Sequence, residues 1–291
     1  ACSLSNWIAT LAQITGADEP TRRATILDAW DRLAPEERFL FNKLLTGGFR
    51  MGVAQGLMTR ALAQVTGCAE ADLAHRLMGA WTPATTSYAA LVSGDGAGLS
   101  RPYPFCLARP LEEPTDLGAP ADWLAEWKWD GIRGQLVKRG GQVFLWSRGE
   151  ELVTDRFPEI AAQAASLPDG TVIDGEVLAW DGAPLPFAHL QTRIGRKSVT
   201  RRLLAEVPVT LIAYDLIESA GQDLRATSLA DRRAALERLD TPFPLSPLLR
   251  FDSWDALTQL RATAADHGAE GVMVKRANSP YHVGRKTGDW W

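Results

Sequence analysis

The chain has 291 residues, 46% hydrophobic and 23% charged, which suits one large globular domain or two ordinary ones. A net charge of −4 excludes a molecule that holds nucleic acid by overall positive charge, while leaving a local basic patch open. No apolar run approaches the roughly 18 residues of a membrane span, no secretory leader opens the chain, and Cys2, Cys68 and Cys106 show neither zinc spacing nor an even disulfide count.

Residues 1–100 read as helices. Trp7, Ile8, Leu11 and Ile14 recur at helical spacing. Asp18, Glu19 and Pro20 start a second helix, whose stripe is Ala24, Ile26, Leu27, Trp30 and Leu33. A third follows Pro35-Glu36-Glu37 and carries Phe39, Leu40, Leu44 and Leu45. A glycine-rich turn, Thr46–Gly52, leads to a helix with Leu57, Met58, Ala61, Leu62 and Val65, and another runs from Ala69 through Leu73 and Leu77. A proline-rich junction between Pro102 and Pro120 breaks this pattern. Strands are then expected at 123–129, 134–138, 143–147, 171–180, 207–216 and 271–275, with Gly140-Gly141 as a hairpin turn. Helices are expected at 158–166, 228–239 and 253–267. Hairpin-joined strands with inserted helices imply an α+β domain built on antiparallel sheet.

Four stretches of the second half put charges at the ends of strand-like runs. Lys128 lies with Glu126, Asp130 and Arg133, and in a strand 126, 128 and 130 share a face. It is a nucleophile or one member of an exposed ion-pair ladder. Arg148, in Ser147-Arg148-Gly149-Glu150, is a phosphate clamp or a solvated turn residue. Asp174-Gly175-Glu176 sits in an apolar β-rich run, where an acid must be paired or bind a metal or hydroxyl; Asp-Gly is also a plain hairpin signal. Glu270 and Lys275 bracket a last strand and suit Mg²⁺ and phosphate oxygens, or are ordinary end charges. In this order, a lysine, two acids and a second lysine supply what nucleotidyl transfer to an amine needs.

The order Lys128-x-Asp130-Gly131, Ser147-Arg148, Asp174-Gly175-Glu176, Ala213-Tyr214-Asp215-Leu216 and Glu270-Gly271-x-x-x-Lys275 resembles the covalent nucleotidyltransferases. Within them the chain resembles the ATP-dependent DNA ligases of the bacterial kind. Phe41–Arg50 and Ala74–Gly79 resemble their helical DNA-binding domain. The resemblance implies an all-helical DNA-binding domain over 1–100 and an antiparallel-sheet adenylation domain over 101–291, with the family's C-terminal OB-fold domain missing.

It implies that Lys128 takes AMP as a phosphoramidate. Glu126, Arg133, Arg148, Glu176, Tyr214 and Lys275 would then hold ATP or AMP. Glu126 would read adenine, Tyr214 stack on it in place of the family's usual phenylalanine, and Lys275 grip the α-phosphate. Glu176 and Glu270 would bind Mg²⁺. Lys43, Arg50 and Arg60, around the glycine turn, and Arg193, in a basic loop, would contact DNA. The partner implied is nicked double-stranded DNA, met by a cytoplasmic monomer in repair, recombination and replication.

Ala1 without a preceding Met and the terminal pair Trp290-Trp291 lead us to expect a piece of a longer protein, with weak or absent self-adenylation and no efficient sealing. Two other readings compete. One is an RNA ligase or GTP-using capping enzyme; the other is a non-catalytic nucleic-acid-binding module.

Overall fold

A computed structural model describes residues 3–47, 55–78, 81–82, 85–93, 98–194, 196 and 199–291. The chain divides into two compact units, Ala1–Met58 and Thr59–Trp291.

The first unit contains α1 (Leu4–Ile14), α2 (Glu19–Arg32) and α3 (Pro35–Thr46). Their starts follow from capping chemistry. The Ser3 and Asp18 side chains accept from the N–H groups of Asn6 and Thr21, and proline opens the first turn of α2 and α3. Gly47, at φ 63°, ends α3 in the left-handed conformation that glycine adopts without penalty. Trp7, Ala29, Leu33 and Phe41 form the core, with the Trp7 and Phe41 rings edge-on at 5.6 Å. Ile8, Phe39 and Leu40 of the expected stripes stay exposed.

Helix α4 (Gln55–Thr66) carries the division between the units; α5 (Glu70–Leu77) and α6 (Tyr88–Ser93) follow. The compact units divide at Met58/Thr59, so α5 and α6 belong with the strands that follow. The reason is packing onto the sheet. His75 of α5 stacks on Tyr103 at 4.4 Å. Trp146 Nε1 donates to the Ser100 carbonyl, and Arg139 Nη1 donates to that of Arg101 at 2.7 Å.

The remaining elements are β1 (Cys106–Leu107), β2 (Trp123–Trp129), β3 (Ile132–Arg139), β4 (Gln142–Ser147), α7 (Pro158–Ala164), β5 (Thr171–Ala179), α8 (Phe187–Ile194), α9 (Arg201–Glu206), β6 (Val209–Ser219), β7 (Gln222–Asp223), α10 (Leu229–Arg238), β8 (Leu248–Leu249), α11 (Trp254–Ala262), β9 (Ala269–Arg276) and β10 (Gly284–Arg285). An antiparallel sheet runs β4-β3-β5-β6-β7, and a smaller one runs β8-β2-β9. β1 and β10 form a parallel pair. Gly140 and Gly141, both at positive φ, make the two-residue turn between β3 and β4.

Alternation sets the larger sheet's two cores. Leu136, Leu145, Ile173 and Leu216 face one way with Phe157, Ile160, Leu190 and Leu236. Their neighbours Val137, Trp146, Val172 and Ile217 face the other way with Tyr103, Tyr281 and Trp290. Asp174 and Gly175 lie inside β5, paired with Gln135 and Gly134, so the hairpin reading of Asp-Gly is corrected. A Cβ on Gly175 would sit 2.6 Å from the Ile212 carbonyl oxygen, and glycine alone lets β5 and β6 approach this closely.

Candidate active site

Between the two antiparallel sheets lies a cleft of about 590 Å³. β2 and β9 supply one wall through Glu126, Lys128, Met273 and Lys275. β3, β5 and β6 supply the other through Arg133, Glu176 and Tyr214, while Arg148 enters from the turn after β4. Gly131 joins the walls at the turn from β2 to β3. A Cβ there would lie 2.4 Å from the Val177 carbonyl oxygen and 2.5 Å from Leu178 Cδ2, so only glycine lets that turn close against β5.

Lys128 ends the regular part of β2. It pairs across the ladder with Gly271, which brings its ammonium onto Glu270 in an ion pair. Lys128 and Glu270 are half exposed, at 50% and 46%. The register shifts between Lys128 and Trp129, and Asp130 falls beyond the strand. The expected face shared by 126, 128 and 130 is therefore broken after Lys128.

Deeper in, Lys275 and Glu126 form a buried ion pair, 3% and 4% exposed at their side chains. Lys275 Nζ also lies 4.4 Å from the ring centroids of both Tyr214 and Trp290. Glu126 Oε2 is buried with no hydrogen-bond partner among the described residues, an acceptor left over in the cleft wall. Tyr214 is buried, with its O–H 3.4 Å from Asp174 Oδ1.

Asp174 is fully buried and organises the floor. Arg133 clamps it with Nε at 3.1 Å and Nη2 at 2.6 Å, and the Tyr281 O–H donates to it at 2.6 Å. Arg133 also donates to the Cys106 carbonyl at 2.6 Å. Its guanidinium lines the cleft and is engaged by Asp174 and the Cys106 carbonyl. Glu176 lies beside Arg133 in the sheet register. Burial pushes its carboxyl up to about 8, against the pull of Arg133, Lys128 and Arg148.

Lys128, Arg133, Arg148, Lys275 and Arg285 line the cleft against Glu126, Glu176 and Glu270, an excess of positive charge suited to an anionic ligand. Met273 and Trp290 add apolar surface for a base. Among the described residues no three acidic, histidine or cysteine side chains gather as a ready cation cage. The Glu176 and Glu270 carboxylates that line the cleft fit Mg²⁺, which completes its shell with water and ligand oxygens.

Residues 107–291 match the model of the ATP dependent DNA ligase domain. The chain belongs to the ATP-dependent DNA ligase family. It is 32% identical over 292 residues to a probable DNA ligase of Anaeromyxobacter sp. (strain Fw109-5), covering 96% of this chain and 56% of that one. It is 33% identical over 321 residues to a DNA ligase of Haloferax volcanii (strain ATCC 29605 / DSM 3757), covering 96% and 55%. Among solved structures it is similar to a mycobacterial DNA ligase D complexed with ATP and MES, at 32% identity and TM-score 0.53, over 64% of this chain and 58% of that one. The chain spans a little over half the length of these curated relatives.

The ligase cleft thus gathers every cleft residue expected from the sequence: Glu126, Lys128, Arg133, Arg148, Glu176, Tyr214, Glu270 and Lys275. The DNA-binding expectations fare differently. Arg193 is 0% exposed on α8, paired with Glu159 and donating to the Val207 and Arg156 carbonyls at 3.0 Å, so it is corrected from a DNA contact to a buried strut. Arg60 pairs with Glu70 at 3.7 Å on the surface, and Lys43 lies over the Phe39 ring. Arg50 lies outside the described residues. Sequence reading missed Arg285, Met273 and Trp290 in the cleft wall; the basic pair Arg285-Lys286 before the final tryptophans was the available signal for the first. Among the described residues no helix is long and apolar enough to cross a membrane.

Proposed function

We propose that this cleft binds ATP and that Lys128 takes its AMP. The Lys128 amine attacks the α-phosphorus, an N–P bond forms, and the bond to pyrophosphate breaks. The ion pair with Glu270 opens first, and the ammonium gives up a proton to solvent before the amine attacks. Arg148 and Lys275 face the phosphates and offset the charge that develops on them. Glu126 Oε2 accepts from the adenine amine, and Tyr214 and Met273 bound the base. Glu176 and Glu270 would hold Mg²⁺, which when bound neutralises phosphate oxygens.

For the whole protein we propose nick sealing in duplex DNA. AMP passes from Lys128 to the 5′-phosphate at a nick, and the 3′-hydroxyl then displaces AMP and joins the strand. Residues 1–291 alone are expected to label more weakly than a chain of the relatives' length.

The observation that carries this reading is Lys128 itself, half exposed at the mouth of a cationic cleft in a chain of this family. Incubation with α-³²P-ATP should place label on the protein, and Lys128→Ala should remove it. Label surviving in that variant would sink the assignment. Labelled GTP and a nicked RNA duplex, run alongside, separate this reading from a capping enzyme or an RNA ligase.

A further inference from the structure

Tyr281 is buried behind the cleft wall, in the segment 277–281 that follows β9. Three backbone hydrogen bonds fasten this segment to the chain around the start of α10. The Ala277 and Ser279 carbonyls accept from Ala230 and Leu229 at 2.9 and 2.8 Å, and the Tyr281 N–H donates to the Arg225 carbonyl at 2.8 Å. Arg232 of α10, fully buried, ties the same Ser279 carbonyl to Asp215 of β6. The Tyr281 ring packs edge-on against Trp290 at 5.7 Å, and the Arg232 guanidinium lies 5.7 Å from its centroid. Backbone and ring are both held, so the phenol oxygen is a fixed point.

That oxygen meets both members of an ion pair in the opposite wall. It donates to Asp174 Oδ2 at 2.6 Å and accepts from Arg133 Nη2 at 3.2 Å, and Nη2 itself donates to Asp174 Oδ2 at 2.6 Å. Burial pushes the phenol up from its ordinary value, so it keeps the proton it donates. Arg133 Nε reaches Asp174 Oδ1 at 3.1 Å, and Nη1 reaches the Cys106 carbonyl at 2.6 Å. These bonds use four of the five N–H donors of a guanidinium and leave one, on Nη1, for a ligand in the cleft that Arg133 lines. Asp174 and Arg133 stand on neighbouring strands of one wall, whereas Tyr281 follows the last strand of the other. A carboxylate and a guanidinium gripped mainly by each other can turn together. A third contact, from a separately anchored segment, sets the direction of the fork.

We propose that Tyr281 is a positioning residue for nucleotide binding: from behind the wall its hydroxyl aims Arg133, together with Asp174, at the nucleotide in the cleft. This role rests on the reading of the cleft as an ATP site.

The test uses the whole 291-residue chain. Binding of α,β-methylene-ATP with Mg²⁺ is measured by titration calorimetry; the methylene bridge blocks transfer to Lys128, so affinity is read without chemistry. Tyr281→Phe removes the hydroxyl and keeps the ring. Losing a hydrogen bond to a charged group should weaken binding about tenfold. Arg133→Lys keeps a charge beside Asp174 without the fork, and should also weaken binding. In that background Tyr281→Phe should change affinity by less than about twofold, because the group it aims is gone. All four proteins are compared at a temperature where near-ultraviolet circular dichroism shows each one folded. A hydroxyl that only stabilises the fold would lower Tm and leave affinity alone. Unchanged affinity in either single variant therefore overturns the role, as does an equal loss from Tyr281→Phe with and without the Arg133 fork. A wild type that binds no nucleotide overturns the ATP reading itself, and this role with it.

Discussion

Glu126→Gln tests the floor of the cleft. The carboxylate and the Lys275 ammonium are each almost wholly buried, and among the described residues Glu126 is the acid paired with that lysine. The amide keeps the shape and removes the charge. It leaves an ammonium between two aromatic rings, each 4.4 Å from Nζ. Breaking a buried pair from one side costs about 3–5 kcal/mol. The amide oxygen still accepts a hydrogen bond and the ring faces still attract the cation, so the lower end, about 3 kcal/mol, is expected. In a unit of this size each kcal/mol moves Tm by about 2–4 °C, so the midpoint should fall by about 6–12 °C. Near-ultraviolet circular dichroism on heating gives the readout, since the chain holds 11 tryptophans. The double variant Glu126→Leu/Lys275→Met replaces the pair with apolar groups and should return to within about 1 kcal/mol of the wild type. A single variant that melts with the wild type, or a double variant worse than either single, would refute the argument.

Other expectations follow from the same geometry. Glu176 has a folded value of about 8, above its ordinary 4.5, so the native state holds that proton more tightly than the unfolded chain. The stability it confers is complete below about 4.5 and is lost as pH rises through about 8. Glu176→Gln cannot ionise and should gain on the wild type across that window, on the order of 2 kcal/mol after allowance for solvent in the cleft. Urea midpoints at acid, neutral and alkaline pH check this, and a constant difference would contradict it. Gly131→Ala should cost about 1–3 kcal/mol through its collision with β5, and should slow labelling of Lys128 even where both proteins are fully folded. Arg193→Met should destabilise by about 3–5 kcal/mol because it strands Glu159. Its salt slope for duplex DNA should match the wild type; a fall of about one would restore Arg193 as a phosphate contact.

Several features were legible in the sequence because each depends on near neighbours. β2 spans 123–129 as its alternation suggests, and Gly140-Gly141 makes its turn. β6 was read as ending at Leu216 but continues to Ser219. In this strand Asp215 is buried against Arg232 at 2.8 Å, and Glu218 is buried against Arg139. Those partners come from distant parts of the chain, and no local pattern announces them. The same holds for α8. Arg193 looks like part of a basic loop, but it lies three residues after Leu190, and both turn inward. The composition change near residue 101 marks where strands begin. Across it, His75 stacks on Tyr103 and the Ser100 carbonyl accepts from Trp146 of β4.

The two cleft lysines show why residue order alone stops short of a mechanism. By pattern, either is a lysine beside an acid in a β-rich run. Their surroundings separate them. The pair between Lys128 and Glu270 has both side chains about half exposed. Exposed pairs of this kind contribute about 0–1 kcal/mol, so thermal motion opens them readily and frees the amine to approach a phosphorus. The pair between Lys275 and Glu126 is sealed under Tyr214 and Trp290 at a side-chain exposure of 3–4%. Opening it without a replacement anion carries the cost of an uncompensated buried charge, about 3–5 kcal/mol. A nucleophile must move and shed its proton, whereas a phosphate grip must stay charged and in place. That difference is the ground on which the proposed mechanism gives the covalent role to Lys128 and the holding role to Lys275. It also predicts the order of damage: Lys128→Ala should abolish labelling with little loss of stability, while Lys275→Ala should lose both.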